Sequence, residues 1–197
     1  MTAKTFFFKA GEDISAWSLL AANLITIAVA VRFHWNLLEL MWLYWAQSVI
    51  IGVFNYVRIK RCGPDPADTA NFFALHYGFF HFIYAIFLLA FTAEGKILTN
   101  NGEPIQWLSV LLLTLVFLLN HAFSFFYNID KDASKETPDR LMFFPYARIF
   151  PMHLTLIFGG LFTEFFPNLS QVLPLPLLFF LGLKTLADLT MHWIEHS

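Results

Sequence analysis

Residues 71–87 read NFFALHYGFFHFIYAIF, a run of aromatic and aliphatic residues that contains two histidines. The run lies inside a longer segment, Ala70 to Phe91, that has no Asp, Glu, Lys or Arg. A helix of this length can cross a hydrocarbon core of ~30 Å, since each residue adds about 1.5 Å. Continuous apolar runs without strict alternation favour helices over barrel strands. The stretch therefore predicts a membrane-spanning helix with ionisable groups inside it.

The composition of the whole chain favours the same setting. Of its 197 residues, 58% are hydrophobic and only 13% are charged, whereas about 25% of residues in a soluble domain are charged. The mean hydropathy is +0.61. We find no internal repeat and no separate soluble segment. The sequence predicts an all-α, polytopic membrane helix bundle that forms one domain over residues 1–197.

Six apolar segments are assigned as spans, of which the first, at 16 residues, is short for a full crossing. Within the fifth, Pro145 and Pro151 leave two starting points open, because proline is tolerated in the first turn of a helix and kinks a helix interior. A start at Pro151 would leave the preceding residues along the membrane interface and place His153 at the mouth of a site. The six predicted spans are Ala16 to Val31, Leu37 to Val57, Ala70 to Phe91, Ile105 to Tyr127, Pro145 to Phe166 and Leu173 to Ile194.

The basic residues predict an orientation. In a six-span arrangement only Arg32 and Lys96 fall on one side, and by the positive-inside rule the other side is cytoplasmic. Both termini are then cytoplasmic, and the protein is a multi-pass protein of the inner membrane. Because these charges flank spans, they give no reason to expect a nucleic-acid partner. The basic residues on the cytoplasmic side are Lys4, Lys9, Arg58, Lys60, Arg61, Lys131, Lys135, Arg140 and Arg148.

Four ionisable residues of different spans lie at one predicted depth. Counted inward from the cytoplasmic ends of their spans, His76, His121, His153 and Asp188 all lie roughly 9–12 Å below the boundary. Charged groups within a bilayer are costly and usually face the bundle interior with partners. The sequence therefore predicts a polar layer formed by these four side chains.

Three imidazoles and one carboxylate are typical ligands of zinc, iron or copper, and helix bundles build such sites from facing helices. We therefore predict a metal site at this layer, acting on a lipid or another apolar substrate. His192 is an alternate ligand or a general base. Lys184, one turn deeper than Asp188, is a counter-charge or an electrostatic group near the substrate. Haem is favoured less, because no haem-binding spacing is present.

The second histidine of the opening stretch, His81, lies on a different face of its helix from His76. Five residues separate His76 from His81, which places them about 140° apart on a helix. His81 shares a face with Tyr77 and Tyr84, and we expect hydrogen bonding within the bundle there. A structural hydrogen bond to a neighbouring helix is also the alternative for each of the other histidines.

Two other functions stay open at this stage. In a small proton- or ion-coupled transporter, Asp188, Lys184 and the histidines would titrate along a pathway. In a structural subunit of a membrane complex, the polar layer would only hold the bundle together. The sequence leaves open whether the chain is an enzyme and whether it forms a homo-oligomer.

Four segments carry a resemblance to a known family. They are LLELMWLYWAQSVIIGVFNYVRIK, HYGFFHFIYAIF, PYARIFPMHLTLIFGG and KTLADLTMHWIEH. In these segments the chain resembles an uncharacterised bacterial and archaeal integral-membrane family, a domain of unknown function. The resemblance covers spans two to six. It implies a polytopic membrane protein and brings no activity with it.

Overall fold

The computed structural model describes residues 24, 28, 32, 35, 37–62, 67–94, 104–132, 137–143, 145–165 and 175–196. The described part of the chain is helical and contains no strand, so the predicted all-α class is confirmed. The helices that it contains are α1 (Leu37–Lys60), α2 (Ala67–Glu94), α3 (Trp107–Asp132), α4 (Pro138–Phe143), α5 (Tyr146–Phe165) and α6 (Leu175–His196).

Five of these helices coincide with predicted spans two to six. The helix α1 begins at Leu37, as predicted, and each of the other four begins and ends within a few residues of its predicted span. The first predicted span, Ala16 to Val31, lies outside the described residues apart from single helical positions. The continuous apolar runs were therefore sufficient to locate the long helices.

The two alternatives for span five are resolved in favour of the earlier start. The helix α5 begins at Tyr146, directly after Pro145, and contains Pro151 within it. Pro151 lacks an N–H group, so one backbone hydrogen bond is missing there, but the helix continues for another 14 residues to Phe165. His153 consequently lies on the second turn of α5, not at its start.

The short helix α4 was not predicted. Its first residue is Pro138, which suits the first helical position, and the hydroxyl of Thr137 accepts a hydrogen bond from the N–H of Arg140 at 3.4 Å. Its buried Leu141 packs in the core, and the carbonyl of Leu141 accepts a 2.8 Å bond from the amide of Asn55. This bond joins α4 to α1.

The helix α1 lies between α2 and α3 and packs against both. Trp42 bonds to Thr92 while Tyr56 bonds to Asn71, so α1 and α2 run antiparallel. On the other side, Trp42 contacts Trp107 and Phe54 contacts His121, so α1 and α3 run parallel. The helices α5 and α6 pack mainly on each other.

A buried carboxylate fixes the start of α3. Glu39, in the first turn of α1, accepts a 2.6 Å hydrogen bond from the backbone N–H of Gln106. Gln106 immediately precedes α3, and its carbonyl accepts the bond from the N–H of Val110 that opens the helix. The negative charge therefore lies at the positive end of the α3 dipole, where it is stabilising.

Apolar side chains are found both inside and outside this bundle. Two of the described helices, α1 and α2, are long and apolar enough to cross a membrane, while α3, α5 and α6 contain shorter apolar segments. The outer faces also carry large apolar side chains. On α3 these exposed residues are Trp107, Leu108, Leu111, Leu112, Leu113, Leu115, Val116, Leu118, Leu119, Phe123 and Phe126.

Candidate functional site

The imidazole of His76 is held by a tyrosine of another helix. Its Nδ1 lies 2.7 Å from the hydroxyl oxygen of Tyr146, at the start of α5. The ring of His76 also stacks on Phe72, with centroids 5.3 Å apart, and meets the edge of Phe80 at 5.2 Å. Phe72 and Phe80 lie one turn before and one turn after His76 on the same helix. Tyr146 was not foreseen, because it comes from a helix that is distant in sequence.

His153 makes the reciprocal pair. Its Nδ1 lies 3.3 Å from the hydroxyl of Tyr84, which is buried on α2. Each of α2 and α5 therefore supplies one histidine and one tyrosine. Eight positions separate His76 from Tyr84 and seven separate Tyr146 from His153, so the two pairs are about 10–12 Å apart along the helices. We call them the two histidine–tyrosine rungs; they show that α2 and α5 run parallel.

His121 lies in a different contact. Its ring stacks on Phe117 of its own helix, with an interplanar angle of 8°, and meets Phe54 of α1 at 5.2 Å. This position is on the interface between α1 and α3, whereas the two rungs join α2 to α5. The three candidate histidines of the polar layer thus belong to separate contacts.

The predicted metal layer is not assembled by its described members. Among the described residues, no three His, Cys, Asp or Glu side chains form a group that could hold a metal ion. Equal depth places side chains in one plane, but neighbouring helix axes are about 8–10 Å apart within that plane. The lateral positions of His76, His121 and His153 are set by which helices pack together. Their predicted depth contains no information on that packing.

The remaining candidates are on α6. The backbones of Asp188 and His192 lie in this helix, and their side chains are outside the described part, so their predicted roles as ligand and general base stay predictions. Lys184 is half-buried, with its Nζ 5.9 Å from the centroid of the Tyr44 ring. Tyr44 is buried in α1 and packs edge-on against Phe180 of α6. Lys184 is thus placed at the junction of α1 and α6.

His81 is buried between two tyrosines, as its helical face predicted. Its ring centroid lies 4.2 Å from that of Tyr77 and 6.1 Å from that of Tyr84. A carbonyl can only accept, so the Nδ1–H of His81 donates to the carbonyl of Tyr77 at 2.9 Å. In the neutral ring, Nε2 is then left with the lone pair, an acceptor.

Hydrogen bonds from aromatic side chains to main-chain carbonyls join α1 to α2. The hydroxyl of Tyr77 donates to the carbonyl of Ser48 at 3.0 Å, and the indole N–H of Trp45 donates to the carbonyl of His81 at 2.8 Å. One turn after Ser48, Gly52 faces the Tyr77 ring so closely that an added Cβ would lie 2.5 Å from its Cε1. The absence of a side chain at residue 52 is what allows the two helices to approach.

Beside this close approach an open apolar groove runs along α1 and α2. It has a volume of about 400 Å³, within the range of small-molecule sites. Small residues, among them Gly52, Ala74 and Gly78, form part of its lining, and the ring of His81 contributes a polar edge. The larger side chains that line it include Trp45, Tyr56 and Phe82.

A family model described as a family of unknown function, DUF6498, matches residues 6–197. The chain belongs to this family. The predicted membership of a family of unknown function is thereby confirmed. Neither a curated protein nor a solved structure matches the chain.

The sequence interpretation missed the groove and both tyrosine partners of the rungs. A signal for the groove was present, since Val49, Gly52 and Val53 fall on one face of α1 and Ala74 and Gly78 fall on one face of α2. No signal in the sequence connected His76 to Tyr146.

Proposed function

We propose that the protein is a polytopic integral membrane protein that binds an apolar molecule from the bilayer in the groove between α1 and α2. The observation that carries the proposal is the position of this groove, beside a helix, α2, that buries Tyr77, His81 and Tyr84 and exposes large apolar side chains. The groove itself supplies the binding site, and the aromatic side chains around it supply the contact area.

The membrane setting rests on the two faces of α2. Its buried stripe holds the polar side chains of Tyr77, His81 and Tyr84, and His81 is only 5% exposed. Its outer face carries Leu75 at 77% and Phe82 at 63% exposure. In water, exposing such groups costs about 25 cal/mol per Å² of apolar surface, and burying polar groups costs more unless they are bonded. In lipid, the same arrangement is favourable.

We also infer a topology from the charges that flank the helices. With six spans and both termini in the cytoplasm, the C-terminal end of α1, with Lys60 and Arg61, faces the cytoplasm. This arrangement suits a multi-pass protein of a bacterial or archaeal inner membrane. The helix directions agree with it, because α1 is antiparallel to α2 and parallel to α3, as alternating crossings require.

The class of ligand follows from the lining. Gly52, Ala74 and Gly78 have no side chain or only a methyl group, and the groove is only partly enclosed, which suits a flexible hydrocarbon chain. Its lining is mostly apolar and includes the ring of His81, whose Nε2 is an acceptor in the neutral ring. A lipid chain satisfies both conditions, and its binding calls for no metal.

The experiment uses two glycines as a matched pair. A Cβ at Gly78, which lines the groove, meets no atom within 4 Å, and the same is true of Gly182 on α6. Leucine at either position is also the better helix former. Gly78→Leu should fill the groove without disturbing the bundle, and Gly182→Leu is the control.

The measurement is saturable photolabelling of the full-length protein in detergent by a phospholipid with a diazirine in one acyl chain. We expect labelled peptides from α1 and α2, loss of that label in Gly78→Leu, and retention of it in Gly182→Leu. Equal saturable labelling of the two variants, or saturable label confined to other helices, would overturn the proposal.

A further inference from the structure

The groove has a basic end. On α1 its lining follows one stripe of the helix, through Trp45, Val49, Gly52 and Tyr56, and four positions after Tyr56 the same stripe reaches Lys60. The Nζ of Lys60 lies 4.8 Å from the centroid of the Tyr56 ring. The last aromatic side chain of the groove and the first cation beyond it are therefore in contact.

Other polar groups lie at this end of the groove. The hydroxyl of Tyr56 donates to the side-chain oxygen of Asn71 at 3.5 Å. This bond does not use the two N–H donors of the Asn71 amide. Arg61 follows Lys60 in the turn after α1, and both side chains are exposed. Among the described residues of α1, α2 and the turn after α1, this end holds one carboxylate, Asp68, and three cations, Arg58, Lys60 and Arg61.

The length of the groove also suits one kind of occupant. From Trp45 to Tyr56 the helix rises about 16 Å, roughly half of a ~30 Å hydrocarbon core. One lipid chain from a single leaflet spans that distance, and its headgroup then lies at the level of Lys60. The lipid would belong to the leaflet at the C-terminal end of α1.

We propose that the occupant is one anionic phospholipid, with an acyl chain in the groove and its headgroup against Lys60 and Arg61. This inference rests on the proposed function, since it specifies the ligand of the same groove. A cation at the end of a helix also stabilises the helix dipole. If Lys60 only stabilised the helix dipole, its removal would lower the stability of the protein and would not change which lipid headgroup is bound. The headgroup preference therefore distinguishes the two roles.

The test compares two lipids with identical acyl chains, anionic phosphatidylglycerol and zwitterionic phosphatidylcholine, offered in equal amounts to the full-length protein in detergent. Native mass spectrometry gives the ratio in which they are retained. We expect an excess of phosphatidylglycerol that falls about five-fold in Lys60→Ala, the effect of one cation near an anionic lipid. Lys60→Arg should keep the excess, as should Arg140→Ala, which removes an exposed cation from α4 outside the groove.

The failures of the two proposals are distinguishable. If wild type retains both lipids equally, or if Lys60→Ala keeps the same ratio as Arg140→Ala, the anionic headgroup site is wrong, while loss of both lipids in Gly78→Leu still supports the groove. If Gly78→Leu retains both lipids as wild type does, the groove itself is wrong and the headgroup site is wrong with it.

Discussion

The α1–α2 contact and the α2–α5 contact share one helix but differ in what joins them. Besides two side chain to side chain bonds near its ends, the first uses a glycine and aromatic side chains that donate to main-chain carbonyls, as in Tyr77 to Ser48 and Trp45 to His81. The second uses side chain to side chain pairs, the two histidine–tyrosine rungs, in which both imidazoles are exposed. A main-chain carbonyl is held in place by its helix, whereas a side chain can leave its partner by a change of rotamer. We therefore expect α1 and α2 to behave as a fixed unit and α5 to be the adjustable partner.

The largest effect is expected at Gly52, on the fixed side of the comparison. In Gly52→Ala the new Cβ meets the buried ring of Tyr77, which is tied by its hydroxyl to Ser48 and cannot swing away freely. Overpacking of this kind costs about 1–3 kcal/mol, measured as a loss of thermal stability in detergent. Gly182→Ala is the control, because a Cβ there has open space and alanine favours helix. Equal stability of the two variants would show that the helices do not approach as described.

A smaller loss is expected from Tyr77→Phe. This change keeps the ring against Gly52 and removes only the 3.0 Å hydrogen bond to the carbonyl of Ser48. A buried neutral hydrogen bond contributes about 1 kcal/mol, so denaturant or thermal unfolding should show a decrease of that order. No decrease would mean that the glycine contact alone holds α1 to α2.

The rungs should contribute less than either of those changes. Hydrogen bonds between membrane helices average about 0.6 kcal/mol in double-mutant cycles. We expect a coupling free energy of that order for Tyr146→Phe combined with His76→Ala, where the atoms are 2.7 Å apart, and a lower one for Tyr84→Phe with His153→Ala at 3.3 Å. A coupling free energy above that of the Tyr77 bond would reverse the comparison and make α2–α5 the fixed contact.

The smallest effect is expected outside both contacts. His121 lies between Phe54 and Phe117 on the α1–α3 interface, away from the rungs. His121→Ala should therefore leave the metal content of the purified protein unchanged by elemental analysis. Loss of a stoichiometric metal in this variant would instead support the predicted four-ligand site of His76, His121, His153 and Asp188.

The sequence predicted where residues lie along each helix and on which face of it. The position of a residue along a helix follows from counting at about 1.5 Å per residue. The extent of each helix was read from its apolar run, and α1 begins at Leu37 as predicted while the later helices match their predicted spans. The face of a helix follows from its 3.6-residue period, and this placed His81 between Tyr77 and Tyr84. Both quantities are local, so the sequence by itself determined them.

The tertiary structure alone decided which helices are neighbours. Residues of equal depth can lie on opposite sides of α1, as His121 and His76 do, because no local pattern records which helix packs next to which. The same applies to Tyr146, which meets His76 across 70 residues of chain. The close approach at Gly52 and the groove beside it also depend on packing, since a glycine makes room only where a second helix arrives.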